Sequence, residues 1–368
     1  MKRRKFIYRI SIGAASLAIP TAVYAKHESD SYMPIQTTFT SNPSFSAVPG
    51  TEDYPGTPLD QKKLYMNEEY VFLPKMGDLL KWQTTRNPYK AEKKNDARHL
   101  QVILRSSLDE IPDNAITWLG HATFLIHLNG IRILLDPVLT SSMLLKRQSA
   151  LPFKTEAFHN IDYILISHNH RDHCDKESIQ LLAKQNPEAT WLCGLGLDTL
   201  LLNKWTGSKK IHAAGWYQQY PLDNSLLKIS YLPSRHWSRR GLGDTNASLW
   251  GAFMIEGHGK KIYFGGDSGY GSHVKKVAEL FGPVDYYIAG IGAFAPRWFM
   301  SPSHMHPEEV AKASNELKPH YLIPMHYGTF DLSDEPLLEP ARLIQQLKKE
   351  DAFAATLLLP AIGEIISL

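Results

Sequence analysis

Residues 167–173 read Ser-His-Asn-His-Arg-Asp-His, so His168, His170, Asp172 and His173 place four potential metal ligands within six residues. Directly before them runs Tyr163-Ile164-Leu165-Ile166, an apolar, β-branched stretch with the length of a buried strand. A strand that ends in a ligand-dense loop fixes the base of the loop and lets its side chains converge above the sheet. Neutral imidazoles and a carboxylate suit zinc and similar borderline divalent ions. Four donors packed so closely crowd a single tetrahedral ion, so the spacing points to two ions sharing the loop. The competing reading is a polar surface turn that happens to be rich in histidine. Against it, His236, Asp267 and His326 each follow a predicted strand further along the chain.

The pattern around the loop is α/β. Residues 115–119, 123–128 and 131–135 read as a meander of short strands, with Asn129-Gly130 as a hairpin turn. Asp136 follows the third strand. It either orients a ligating histidine or starts a turn before Pro137, and His121 carries the same two readings. A helix is expected over 175–185 with Asp175 as its N-cap. Strands at 190–193, 227–232, 248–255, 261–264, 286–289 and 321–323 alternate with helical stretches at 197–205, 273–281, 307–317 and 339–349. The two cysteines, Cys174 and Cys193, are too few for a disulfide framework and read as buried thiols.

These motifs resemble the metallo-β-lactamase superfamily, whose fold is an αββα sandwich with a two-metal site at one edge. The resemblance rests on the H-x-H-x-D-H loop, on Ser234-Arg235-His236-Trp237, on Gly265-Gly266-Asp267-Ser268-Gly269 and on Pro324-Met325-His326-Tyr327-Gly328. It implies a single catalytic domain holding two zinc ions, with other divalent metals such as manganese or iron suited to the same ligands. His168, His170 and His236 would hold the first ion, Asp172, His173 and His326 the second, and Asp267 would bridge them. Within the superfamily, several segments look like the branch of N-acylphosphatidylethanolamine-hydrolysing phospholipases D. They are Trp118-Leu119-Gly120-His121-Ala122-Thr123, Pro296-Arg297-Trp298-Phe299-Met300, His304 through Glu309, and His326-Tyr327-Gly328-Thr329-Phe330. The reaction implied is attack of a hydroxide bridging the two metals on phosphorus, releasing N-acylethanolamine and phosphatidate. Asp267, Asp172 and His304 are the expected catalytic residues, His304 positioning the phosphate or assisting the leaving group. The chain has His306 where that branch more often has Asp or Asn. Trp237, Trp298 and Phe299 are candidates for an acyl channel or for core packing. His159, His212, His258 and His273 read as surface or structural. The alternatives are a lactonase acting on a sugar phosphate or related lactone, and a non-catalytic exported metal- or lipid-binding protein.

Residues 1–25 read as a signal peptide of the twin-arginine type. Arg3-Arg4-Lys5-Phe6-Ile7 gives the basic start, 10–19 the short apolar run and Val23-Tyr24-Ala25 a cleavage site. The expected destination is the periplasm or a membrane surface. That segment carries five positive charges and no acidic ones, so the net charge of +3 belongs to it and the remainder is near −2. The balance therefore gives no support to nucleic-acid binding. Residues 26–60, rich in Ser, Thr, Pro and Gly, read as a flexible linker, and 61–368 as the hydrolase domain. Residues 140–157 mix Met143, Leu144, Leu145, Leu151 and Phe153 with Lys146, Arg147 and Lys154. They suit either a lipid interface or a core-packing segment. A phospholipid at a membrane surface is the expected partner.

Overall fold

Strand periodicity and β-branching place the sheets where the sequence puts its apolar runs. The computed structural model describes residues 37–69, 75–142 and 145–368. The first strands are β1 (Thr38–Thr40), β2 (Ser46–Ala47) and β3 (Thr57–Leu59), followed by helices α1 (Met76–Thr84) and α2 (Lys90–Asn95). Then come β4 (Ala115–Gly120), β5 (Thr123–Leu128), β6 (Ile131–Leu135), β7 (Tyr163–Ile166), α3 (Lys176–Gln185), β8 (Thr190–Gly194), α4 (Asn203–Thr206) and β9 (Ile211–Ala214). The second half runs β10 (Gln218–Gln219), β11 (Leu227–Leu232), β12 (Ala252–Gly257), β13 (Lys260–Phe264), α5 (His273–Phe281), β14 (Tyr286–Gly290), α6 (Arg297–Met300), α7 (Pro307–Leu317), β15 (Tyr321–Met325), α8 (Glu339–Lys349), β16 (Thr356–Leu357) and β17 (Ile365–Ser367).

Two large sheets result, with strand orders β17-β4-β5-β6-β7-β8-β9 and β16-β15-β14-β13-β12-β11-β10-β2, beside a two-stranded sheet of β1 and β3. In each, an antiparallel half built from hairpins joins a parallel half built from crossovers. Asn129 and Gly130, both at positive φ, close the β5–β6 hairpin as the sequence predicts. The parallel strands are buried on both faces, which is why they read as unbroken apolar runs. In β7, Tyr163 and Leu165 face the space between the sheets, while Ile164 and Ile166 pack outward with Ile179 and Leu182 of α3. The other sheet is covered by Val274, Val277 and Phe281 of α5, Val310 and Leu317 of α7, and Ile344 of α8. This is the αββα sandwich expected.

The structure changes one reading and decides between the alternatives of another. Residues 37–60 are not the flexible linker that their composition suggests. β1 pairs with β3, and β2 extends the second sheet beyond β10. The Gln218 amide fixes this segment by donating to the Asn42 carbonyl and accepting from its backbone N–H, both at 2.8 Å. Thr57 Oγ1 accepts from the Trp216 N–H, and Val48 is buried. Strands of two or three residues carry no readable period, and their partners lie far away in sequence. The stretch 140–157 is likewise no lipid-facing loop where it is described. Leu145 packs with Val138 and Phe330, Phe153 packs with Phe158, and Arg147 turns inward to the carbonyls of Val138 and Leu119. Phe153→Ala should therefore destabilise the fold by about 3–5 kcal/mol. Chemical denaturation measures this, and a change within 1 kcal/mol would show that the side chain is not core.

The signal-peptide reading of residues 1–25 lies outside the described residues, as do 26–36, Met143 and Leu144. Among the described residues no helix is long and apolar enough to cross a membrane. Cys174 and Cys193 are both buried and free.

Candidate metal centre

The strand ends converge on one rim. His168, His170, Asp172 and His173 follow β7, His236 follows β11, Asp267 follows β13 and His326 follows β15. His121 and Asp136 follow β4 and β6. Open α/β sheets place functional residues at the carboxyl ends of their strands because the connecting loops there are free to vary.

All seven residues expected as ligands meet in two groups. His168 Nε2 lies 2.9 Å and His236 Nε2 3.1 Å from His170 Nδ1. The edge of a tetrahedron with zinc–nitrogen bonds is about 3.3 Å, so three nitrogens at this spacing match one coordination sphere. In the second group His173 Nε2 and His326 Nε2 lie 3.6 and 3.4 Å from Asp172 Oδ2. Asp267 Oδ2 stands between the groups, 3.2 Å from His173, 3.1 Å from His326, 3.8 Å from His236 and 4.0 Å from His168.

The ring tautomers are set from behind, so that the inward nitrogens can ligate. His173 Nδ1 donates to Asp136 Oδ2 at 2.7 Å, and His236 Nδ1 donates to the Ser303 carbonyl at 3.0 Å. Ser167 Oγ donates to the other side of the same carboxylate oxygen at 2.6 Å and accepts from His168 Nδ1 at 3.0 Å. Asp136 thus takes the orienting role rather than that of a turn starter. The inward atoms His173 Nε2 and His326 Nε2 are buried without a hydrogen-bond partner, as are His170 Nε2 and Asp267 Oδ1 on the far sides of their groups. Such orphaned donors and acceptors are costly unless a further group satisfies them, and divalent cations fit this donor set.

The electrostatics agree. Burial holds the imidazoles of His168 and His236 well below their ordinary value, and that of His170 at about 4. Burial alone would raise the Asp172 and Asp267 carboxyls, but the neighbouring imidazoles, above all His173, hold both well below the carboxylate range. The reverse pull raises His173 well above its ordinary value and His326 to about 9, against the effect of burial. In the metal-free protein these two rings therefore carry protons at pH 7. Ligation needs them neutral, so cation binding should release protons, and affinity should rise from pH 7 to about 9. Calorimetry in buffers of different ionisation enthalpy reads the release; zero net release would contradict the assignment.

His121 sits against the second group, its Nε2 3.0 Å from Asp172 Oδ2 and its ring tilted against that of His326, with centroids 4.0 Å apart. Its backbone is left-handed, as are those of Asp136 and His326. Such conformations cost about 1–3 kcal/mol each and persist where surroundings over-determine them. Here the His121 N–H donates to Thr329 Oγ1, and its carbonyl accepts from Trp118 Nε1 and from the His326 N–H. His121→Ala should weaken the second cation about 10–100-fold while sparing the first. Chelator competition on metal-depleted protein would show equal loss at both sites if the ring served only packing.

His304 faces the cluster from the α6–α7 loop, with Nδ1 3.8 Å from Asp267 Oδ2. Burial lowers its pKa to about 4, so it is neutral at pH 7 and offers one donor and one acceptor. Arg297 holds the His304 carbonyl at 3.0 Å and bridges to Glu309 at 2.8 Å. His306 acts as N-cap of α7: Nδ1 accepts from the Glu308 N–H, and Glu309 accepts from the His306 N–H. An imidazole acceptor thus performs what Asp or Asn does at such a cap.

Of the aromatic candidates, Trp237 packs on His170 at 4.6 Å, and Phe299 stacks on Trp82 at 5.0 Å. Trp298 is exposed. His159 and His258 are exposed, and His273 is buried against Ser268. No motif marks Asn67, whose amide donates to the His236 carbonyl and accepts from its N–H. Nor does any mark Arg240, which donates to the carbonyls of Asn169 and Cys174 at both ends of the ligand loop. Both act through the backbone, where residue type leaves little signal.

A family model described as "Beta-lactamase superfamily domain" matches residues 131–327. The chain belongs to the metallo-β-lactamase superfamily of metal-dependent hydrolases. Within it, the chain is 32% identical over 264 residues to the N-acyl-phosphatidylethanolamine-hydrolyzing phospholipase D 1 of Caenorhabditis elegans, covering 68% of this chain and 74% of that one. The mitochondrial N-acyl-phosphatidylethanolamine-hydrolyzing phospholipase D of Saccharomyces cerevisiae is 32% identical over 259 residues, covering 67% of this chain and 54% of that one. In structure, the chain resembles a possible metal-dependent hydrolase from Veillonella parvula, with TM-score 0.57 and 16% identity over 70% of this chain and all of that one. That likeness concerns the fold.

Proposed function

We propose that the protein is a phosphodiesterase of the phospholipase D type, cleaving N-acylphosphatidylethanolamine or a similar phospholipid into N-acylethanolamine and phosphatidate. The observation that carries the reading is the identity to the Caenorhabditis elegans phospholipase, spread over most of both chains. The donor set supports it. Two divalent cations, zinc by ligand type, would supply a water-derived nucleophile at neutral pH and offset phosphoryl charge.

The chain's own residues supply the rest. His168, His170 and His236 would hold one cation, Asp172, His173 and His326 the other, with Asp267 shared. Asp136, with Ser167, engages the Nδ1 atoms of His173 and His168 and so turns their Nε2 atoms toward the cations. His304, neutral and facing Asp267, can donate its N–H to a phosphoryl oxygen or to the departing alkoxide. The bond broken is that between phosphorus and the N-acylethanolamine oxygen, and water provides the new oxygen on phosphatidate.

Mass spectrometry of products tests the reading. Purified protein loaded with zinc would meet N-acylphosphatidylethanolamine, phosphatidylethanolamine and a panel of lactones, beside a His326→Ala control. N-acylethanolamine with phosphatidate, absent in the control, is the expected result. Lactone opening without lipid cleavage would replace it with a lactonase on the same metals.

A further inference from the structure

Helix α1 contributes no buried residue to its own protein. Met76 and Leu80, one turn apart, are 61% and 59% exposed. Trp298 of α6, 45% exposed, joins them through Lys81, whose Nζ lies 4.5 Å over the indole ring. The opposite side of α1 carries Asp78, its only acidic residue, and Trp82, which stacks on Phe299 and donates to Asp334. The outward side is therefore apolar and basic: Lys75, Lys81 and Arg86 are exposed around Met76 and Leu80. A fourth exposed apolar residue lies on another element of the site. Leu242, 83% exposed between Gly241 and Gly243, tips the loop that leaves His236, and Arg239 precedes it.

We propose that Met76, Leu80 and Trp298, ringed by Lys75, Lys81 and Arg86, dock on an anionic lipid bilayer, with Leu242 as a further contact. Exposed apolar side chains beside a lysine that lies across an indole suit the boundary between acyl chains and headgroups. A basic fringe with its acidic residue turned away complements negative headgroups. The position serves the site: α6 ends at Met300, whose carbonyl accepts from the His304 N–H, so the docking face is one helical turn from the metal pocket. Residues 140–157 offer no such face at Leu145 and Phe153, which are buried. The inference rests on the phospholipid reading for its purpose, while the binding itself is measured separately.

Co-sedimentation of the metal-loaded protein with vesicles of phosphatidylcholine, with and without phosphatidylglycerol, tests it. The wild type should bind the anionic vesicles. Met76→Asp with Leu80→Asp should lower binding at least ~tenfold, and Lys75→Glu or Lys81→Glu should each lower it about fivefold. Hydrolysis of bis(p-nitrophenyl) phosphate and the circular dichroism spectrum should stay unchanged. The lysine variants, being fully at the surface, carry the test should the aspartate variant misfold. Wild-type binding by folded variants, or no vesicle binding by the wild type, overturns the proposal. A dimer in light scattering that Leu80→Asp dissolves, with vesicle binding untouched, would also overturn it and assign the face to a second copy. Vesicle binding without lipid cleavage would reject the proposed substrate and keep the docking face. Lipid cleavage in detergent micelles without vesicle binding would do the reverse.

Discussion

Asp267→Ala should lower turnover at least about a thousandfold, equivalent to about 4 kcal/mol of transition-state stabilisation. It should also reduce metal content to one ion per chain or fewer. Oδ2 of this carboxylate lies within 3.1–4.0 Å of imidazole nitrogens from both donor groups. Under the proposed two-cation reading, removing it would take one anionic ligand from each ion at once and leave the inward nitrogens facing one another. Burial makes this severe, because water cannot replace the lost charge without opening the pocket. Asp267→Asn keeps the volume and loses the charge, and should fall between the two. Metal analysis of the purified variants beside turnover of bis(p-nitrophenyl) phosphate decides it. Two ions per chain with turnover within tenfold of the wild type would show that Asp267 bridges nothing.

The location of the centre was legible because its donors sit where short apolar runs stop. The run 163–166 is buried throughout and 227–232 at every position but Lys228, so their ends are sharp in sequence and in structure. The capped helices were legible for a related reason: Asp175 and Pro307 mark starts that the backbone then uses. What stayed hidden depends on distance. β2 exists only because β10 offers it an edge some 170 residues away, and β17 only because β4 does. Residues 248–251 have strand composition, yet β12 begins at Ala252. Leu249 and Gly251 instead donate to the carbonyls of Leu195 and Ser167, each just past the end of a strand of the other sheet. For 140–157, composition alone gave two readings, and only packing chose between them. Asn67 and Arg240 support the ligand loops through carbonyls and N–H groups, contacts that any sequence would offer.

Gly292→Ala is expected to damage the site as severely as the loss of a ligand, though the residue bears no side chain. Gly292 lies just past the end of β14, beside the end of β15, and the Ile291 N–H donates to the Met325 carbonyl. A methyl carbon built on Gly292 would run into the carbonyl oxygen of His326, far inside the 3.0 Å that real Cβ atoms keep. The obstacle is backbone, held in turn by the hydrogen bond from the His326 N–H to the His121 carbonyl. The packed strands leave no room to absorb the conflict, so one backbone must shift by about 1 Å. His326, already in the left-handed region at φ 67°, is the residue displaced. A misplacement of about 1 Å at a reacting centre lowers rates about a hundredfold. The expected result is a fall of at least that size in kcat, with weakened binding of the second cation and a lower melting temperature. Excess zinc should recover part of the activity if displacement of His326 is the cause. Full activity and wild-type metal stoichiometry in a stable Gly292→Ala protein would mean that β14 yields at this point and that the close approach places no constraint on the ligand.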